Sequence, residues 1–112
     1  MKVAIPLARG RLSLHFGHCE EFALIDVDPQ TNEIGSTERL PAPEHEPGLL
    51  PRWLNEHGAS LVIAGGMGMR ARTLFAQNGI RVVTGAEEEE PETIVRAFLE
   101  GTLETGANIC DH

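Results

Sequence analysis

Apolar and polar positions follow two different periods along this chain, and the change of period divides it. "KVAIPL" (Lys2–Leu7) is a continuous apolar run with β-branched residues, the pattern of a strand buried on both faces. "EFALIDVD" (Glu21–Asp28) predicts a second strand, ended by the turn-forming "DPQTN". "EIGSTERLPAP" (Glu33–Pro43) predicts a third, polar and closed by prolines, which suits a sheet edge. The short turn between these two makes them an antiparallel hairpin. The intervening "ARGRLSLHFGHCE" reads as a loop marked by Gly10 and Gly17.

From Leu49 the period becomes helical. In "PGLLPRWLNEHG" the residues Leu49, Leu50, Trp53 and Leu54 share one face, and Gly58 supplies a stop. Pro51 is tolerated only in a first turn, so this helix begins near Leu49. "SLVIAGG" predicts a second fully apolar strand. "GMRARTLFAQNG" predicts a helix with Ala71, Leu74 and Phe75 inward, stopped at Gly79, and "IRVVTG" the last strand. Pro91 opens a final helix whose buried stripe is Ile94, Val95, Phe98 and Leu99. The predicted order is β-β-β-α-β-α-β-α. Apolar strands joined through helices become parallel neighbours with helices on both faces. The expectation is an α/β fold with a mixed five-stranded sheet carrying an antiparallel N-terminal hairpin.

Length and composition narrow the possibilities. The 112 residues fit a single domain over 1–112, with residues 101–112 expected as a flexible tail. Net charge is −8, from 17 acidic against 9 basic residues. That balance repels nucleic acid and anionic lipid, since phosphate binding needs a concentrated basic face. No run approaches the length of a membrane span, and the N-terminal apolar run is too short for a signal peptide. A cytoplasmic protein with reduced thiols is expected.

The chemistry-bearing residues gather at a few places. "HFGHC" puts His15, His18 and Cys19 within five positions, with Gly17 to permit a tight backbone. Imidazole and thiolate are the side chains best suited to soft and borderline metals. The other cysteine, Cys110, stands in "CDH" beside His112. "AGGMGMRA" follows a strand and opens a helix, where free N–H groups and the helix dipole favour an anion. Gly65, Gly66 and Gly68 match neither a P-loop nor a dinucleotide fingerprint, and Met67 and Met69 add thioether surface, although methionines in such turns more often serve packing. His45 is a further candidate ligand or a loop residue, and His57 suits a helix C-terminal turn. The "AEEEE" run reads as a solvated loop feeding Pro91. Motifs of serine hydrolases and zinc proteases are missing, so catalysis has little support.

"HFGHCEEFALIDVD", "HEPGLLPRWLNEHGASLVIAGGMGMRARTLFAQNGIRVV" and "TGANICDH" together resemble the dinitrogenase iron–molybdenum cofactor biosynthesis family, in its small stand-alone members related to NifX-type carriers and the C-terminal domain of NifB-type proteins. The resemblance runs through nearly the whole chain. It implies a ribonuclease-H-like three-layer α/β/α fold, and binding or carriage of iron–sulfur or iron–molybdenum clusters without chemistry on them. It implies a cluster-holding role for His15, the "HFG" histidine, and matches the glycine-rich turn to Gly65, Gly66 and Gly68. His18, Cys19, Cys110 and His112 belong to the "HFGHC…CDH" variant.

The expected function is therefore a non-enzymatic cluster carrier with a donor or acceptor protein as partner. Both chain ends would contribute to one site, because loops following parallel strands meet on one sheet edge. The alternative is a small structural or regulatory domain that binds zinc, or no metal, through the same Cys/His set.

Overall fold

The computed structural model describes residues 1–14, 16, 19–44, 46 and 48–103. Its elements run β1 (Lys2–Ala8), β2 (Arg11–Leu12), β3 (Glu21–Val27), β4 (Ile34–Pro41), α1 (Leu49–Glu56), β5 (Leu61–Ile63), α2 (Met69–Gln77), β6 (Arg81–Val83) and α3 (Pro91–Glu100). The sheet order is β4-β3-β1-β5-β6, with β2 paired to β1 alone. β3 lies antiparallel to both β1 and β4, whereas β5 and β6 run parallel to β1. The polar strand β4 sits at one edge, as its composition required.

The sheet has six strands, not the five expected. The extra one lies inside the segment read as a loop: Arg9 (φ 56°) and Gly10 (φ 79°) both adopt left-handed backbone. That pair of positive φ values belongs to a two-residue type I′ turn, which pairs Ala8 with Arg11 and Leu7 with Leu12. The usual sequence signal for such a turn is Asn-Gly or Asp-Gly, and Arg-Gly does not carry it.

Pro6 occupies a central strand, where its missing N–H would ordinarily leave a gap in the ladder. β5 pairs with β1 only at Val3 and Ala4, and β2 takes over at Leu7 and Ala8. Pro6 falls between the two, and its carbonyl accepts from Ser13 N–H at 2.8 Å. The proline thus stands where no neighbouring strand needs its donor.

Alternation along the strands builds two cores. Val3, Ile5, Leu7, Ala23, Ile25, Leu61 and Ile63 face α3, packing on Ile94 and Val95. Ala4, Phe22, Leu24 and Val62 face the opposite way, against Leu50 and Leu54 of α1 and Phe75 of α2. The result is three layers, α/β/α. Phe98 and Leu99 are half-buried against the first core, as is Leu103, so the start of the expected tail is docked there. Of the residues expected inward on α2, only Phe75 is fully buried, while Ala71 and Leu74 are half-buried. α2 packs over β6, the last strand of the sheet, and among the described residues no element covers its outer flank. Among the described residues no helix is long and apolar enough to cross a membrane.

Phe75 is fully buried and meets Phe16 edge-on, with ring centroids 5.4 Å apart. Phe75→Ala is expected to lower unfolding free energy by about 3–5 kcal/mol, read from urea denaturation. Arg52→Ala on the exposed face of α1 should change it by less than about 0.5 kcal/mol.

Candidate functional site

Three parallel strands, β1, β5 and β6, deliver their following segments to the same sheet edge, where open α/β sheets bind ligands. Backbone hydrogen bonds stitch these segments together. Leu12 N–H donates to Glu89 O (3.0 Å), Gly85 N–H to Gly65 O (2.8 Å), and Ala86 N–H to Ala64 O (3.2 Å). Arg9 N–H donates to Glu20 Oε1 (2.9 Å), tying the β1–β2 hairpin to the start of β3. The contact that brings the first segment onto the glycine turn is at Gly65. A Cβ there would lie 3.0 Å from Leu14 Cα, 3.1 Å from Leu14 Cδ2 and 3.2 Å from Leu12 Cδ2. Gly65, Gly66 and Gly68 all lack positive φ, so close approach and not backbone freedom explains the glycine at 65.

Of the expected ligands, His15, His18, Cys110 and His112 lie outside the described residues, as does His45. Cys19 is described. It is a free, half-buried thiol packed against the second core, and burial pushes its pKa up to about 11 despite an opposing backbone hydrogen bond. Phe16, within the "HFGHC" segment, is buried between Phe22 and Phe75 with centroids 5.9 and 5.4 Å away. Its side chain belongs to the second core. Gly65 and Gly66 are buried in the turn. Met67 is fully buried in the second core, so its thioether faces the interior and only its backbone belongs to the edge. The expectation that it adds thioether surface is corrected: folding the glycine turn under the first segment tucks this side chain inward. Met69 is 59% exposed. His57 caps the end of α1 and meets Trp53 edge-on at 4.6 Å, away from this edge.

A family model described as dinitrogenase iron-molybdenum cofactor matches residues 1–101. The chain belongs to that family. The uncharacterized protein MJ0580 of Methanocaldococcus jannaschii is 32% identical over 109 residues, spanning 93% of this chain and 90% of that protein. The crystal structure of a protein named PH0822 superposes with a TM-score of 0.86 at 32% identity, covering 96% of each chain. The apo form of the orange protein from Desulfovibrio gigas shares the fold, with a TM-score of 0.70 at 23% identity over 96% of this chain and 93% of its own. Membership in the dinitrogenase iron-molybdenum cofactor family makes this a cofactor-related domain.

Electrostatics at this edge of the family fold come from residues the spacing argument passed over. Gly68 caps α2 without a side-chain hydrogen bond, and the first turn holds no acidic residue. Arg70 and Arg72 stand there instead. Cations at a helix N-terminus oppose the dipole, so their joint effect is a concentrated positive potential beside the glycine turn. The signal was available in "GMGMRAR", where two arginines directly follow the glycines. On the other side, the exposed Glu87–Glu90 run meets β2 through Glu89 O. The edge is therefore divided, with cationic groups on the α2 side and carboxylates on the β2 side.

Gly65→Ala should destabilise the fold by about 1–3 kcal/mol in urea denaturation, because the nearest obstacle is Leu14 backbone. Cys19, isolated in a Cys110→Ser background, should react with iodoacetamide at pH 8 about a hundredfold more slowly than an ordinary thiol, since its pKa is raised from 9.0 to about 11. Because the folded state holds this proton more tightly, the contribution is fully present below pH 9 and is lost as pH rises toward about 11. Urea midpoints of wild type and Cys19→Ala between those limits should converge.

Proposed function

We propose that this protein binds and carries an anionic metal–sulfur cluster of the iron–sulfur or iron–molybdenum type, without catalysing a reaction on it. The observation that carries this reading is the contact of the first segment with the glycine turn at Gly65, beside the uncapped N-terminus of α2. In a cofactor-related domain, that edge offers what a cluster of negative charge requires. N–H groups from Gly66 to Met69 and the charge of Arg70 would receive the anion, while imidazole and thiolate would bind its metal.

In this reading His15, His18 and Cys19 supply ligands from the first segment, and Cys110 and His112 supply them from the chain's end. The sheet order β4-β3-β1-β5-β6, with β3 antiparallel to both of its neighbours and β5 and β6 parallel to β1, supports the ribonuclease-H-like assignment. The cluster is cargo, so a donor or acceptor protein in the cytoplasm is part of the proposal. Cys19 sets a condition on loading. Its thiol holds a proton at neutral pH, so ligation there displaces that proton and becomes more favourable as pH rises.

Anaerobic reconstitution with ferrous iron and sulfide tests the ligand set. Wild type should acquire a broad visible absorption band, and His15→Ala, Cys19→Ala and Cys110→Ala should each lose most of it while keeping the far-ultraviolet circular dichroism of the fold. Full cluster stoichiometry in both cysteine variants would overturn the shared site.

A further inference from the structure

Among the described residues, the side of the sheet beyond β6 presents an unpaired strand edge next to an apolar groove. β6 is last in the strand order. Arg81 N–H donates to Ser60 O (3.0 Å), Val83 O accepts from Ala64 N–H (2.9 Å), and Gly85 N–H donates to Gly65 O (2.8 Å). These residues turn their backbone groups toward β5, so Val82 and Thr84 between them direct theirs outward. Alongside runs an open groove of about 390 Å³ between β6 and α2, lined by Met69, Ala76, Ile80 and Val82 together with Arg72 and Arg81. Met69 is 59% exposed, and among the described residues the other exposed large hydrophobic is Met1 at the chain's start.

A short edge strand bearing a charge is also an ordinary protection against stray pairing. Two features distinguish this edge. Its floor is apolar, whereas β4 at the opposite edge is polar and exposed along most of its length. Its charge is also opposite to that of the molecule: the chain carries −8, yet the groove lining holds two arginines and no carboxylate. Among the described residues Arg81 has no acidic partner within ion-pair distance. Pairing β6 with β6 of a second copy would bring both sets of arginines together, which disfavours that occupant.

We propose that the β6 edge and its groove dock an extended acidic segment of a partner protein, added as a further strand. Outward backbone groups at Val82 and Thr84 supply the main-chain bonds, the groove takes alternate apolar side chains, and Arg81 selects for acidic ones. Because Met69 links the groove to the glycine turn, the partner's purpose rests on the carrier reading, as a donor or acceptor of the cluster. Docking itself needs no cluster.

The test uses metal-free protein and two fluorescein-labelled peptides of alternating sequence, one Glu/Val and one Lys/Val. The Glu/Val peptide should bind by fluorescence anisotropy, shift the amide resonances of Val82 and Thr84, and lose affinity as salt rises. Arg81→Glu should weaken it about tenfold or more. Thr73→Glu, on the helical wall of the groove, should weaken it as well, and circular dichroism verifies that both variants fold. Equal binding of the Lys/Val peptide, an unaffected Arg81→Glu variant, shifts confined to β4, or self-association through β6 in sedimentation would each overturn the proposal. Cluster loading of Arg81→Glu should match wild type, so loss of docking and loss of loading remain distinguishable.

Discussion

The approach of Leu14 to Gly65 is the constraint on which the rest of the molecule's functional edge depends. Leu14 Cα sits 3.0 Å from where a Cβ would be, so any side chain at that position requires the first segment to give by a few tenths of an ångström. The contact exists because the Arg9-Gly10 turn reverses the chain immediately after β1 and lays Leu12 to Leu14 back across the strand ends. Glycine at 65 lets β5 run directly into that layer. The hydrogen bond from Gly85 to Gly65 then brings the third segment, after β6, to the same place. Three segments distant in sequence form one surface through these hydrogen bonds and the close approach that Gly65 permits.

Much of the architecture was legible because its signals are periodic. The shift from continuous apolar runs to a helical stripe at Leu49 is local, and Gly58, Gly79 and Gly101 end their helices with the positive φ that glycine permits. β2 was not legible: two residues carry no periodicity, and Arg-Gly is an uncommon way to write a type I′ turn. The site was only partly legible for a different reason. Residue type marked Cys19 and the glycines as chemically capable, but their environment is a tertiary property. Met67 illustrates this, since the same turn that exposes Met69 buries its neighbour two positions earlier. The arginines after the glycine turn were visible as residues, yet their meaning depended on the helix start falling at Met69.

The buried thiol and the proposed ligand role of Cys19 are connected by proton linkage. Packing against the second core holds the sulfur neutral, which under the proposed role would keep the cysteine unreactive in the absence of a cluster. Metal ligation requires the thiolate, so binding a cluster must work against that packing. Under the proposed role, a ligand whose resting state is protonated would serve both carriage and release. The cationic start of α2 and the carboxylates after β6 give the same edge a charge asymmetry, which in the proposed role would favour an anion on the α2 side.

The most direct measurement is the metal and acid-labile sulfide content, with an absorption spectrum, of protein purified without oxygen. The account predicts iron, with or without molybdenum, accompanied by sulfide and a broad visible band. Zinc without sulfide, or a colourless protein that resists reconstitution with iron and sulfide, would contradict it.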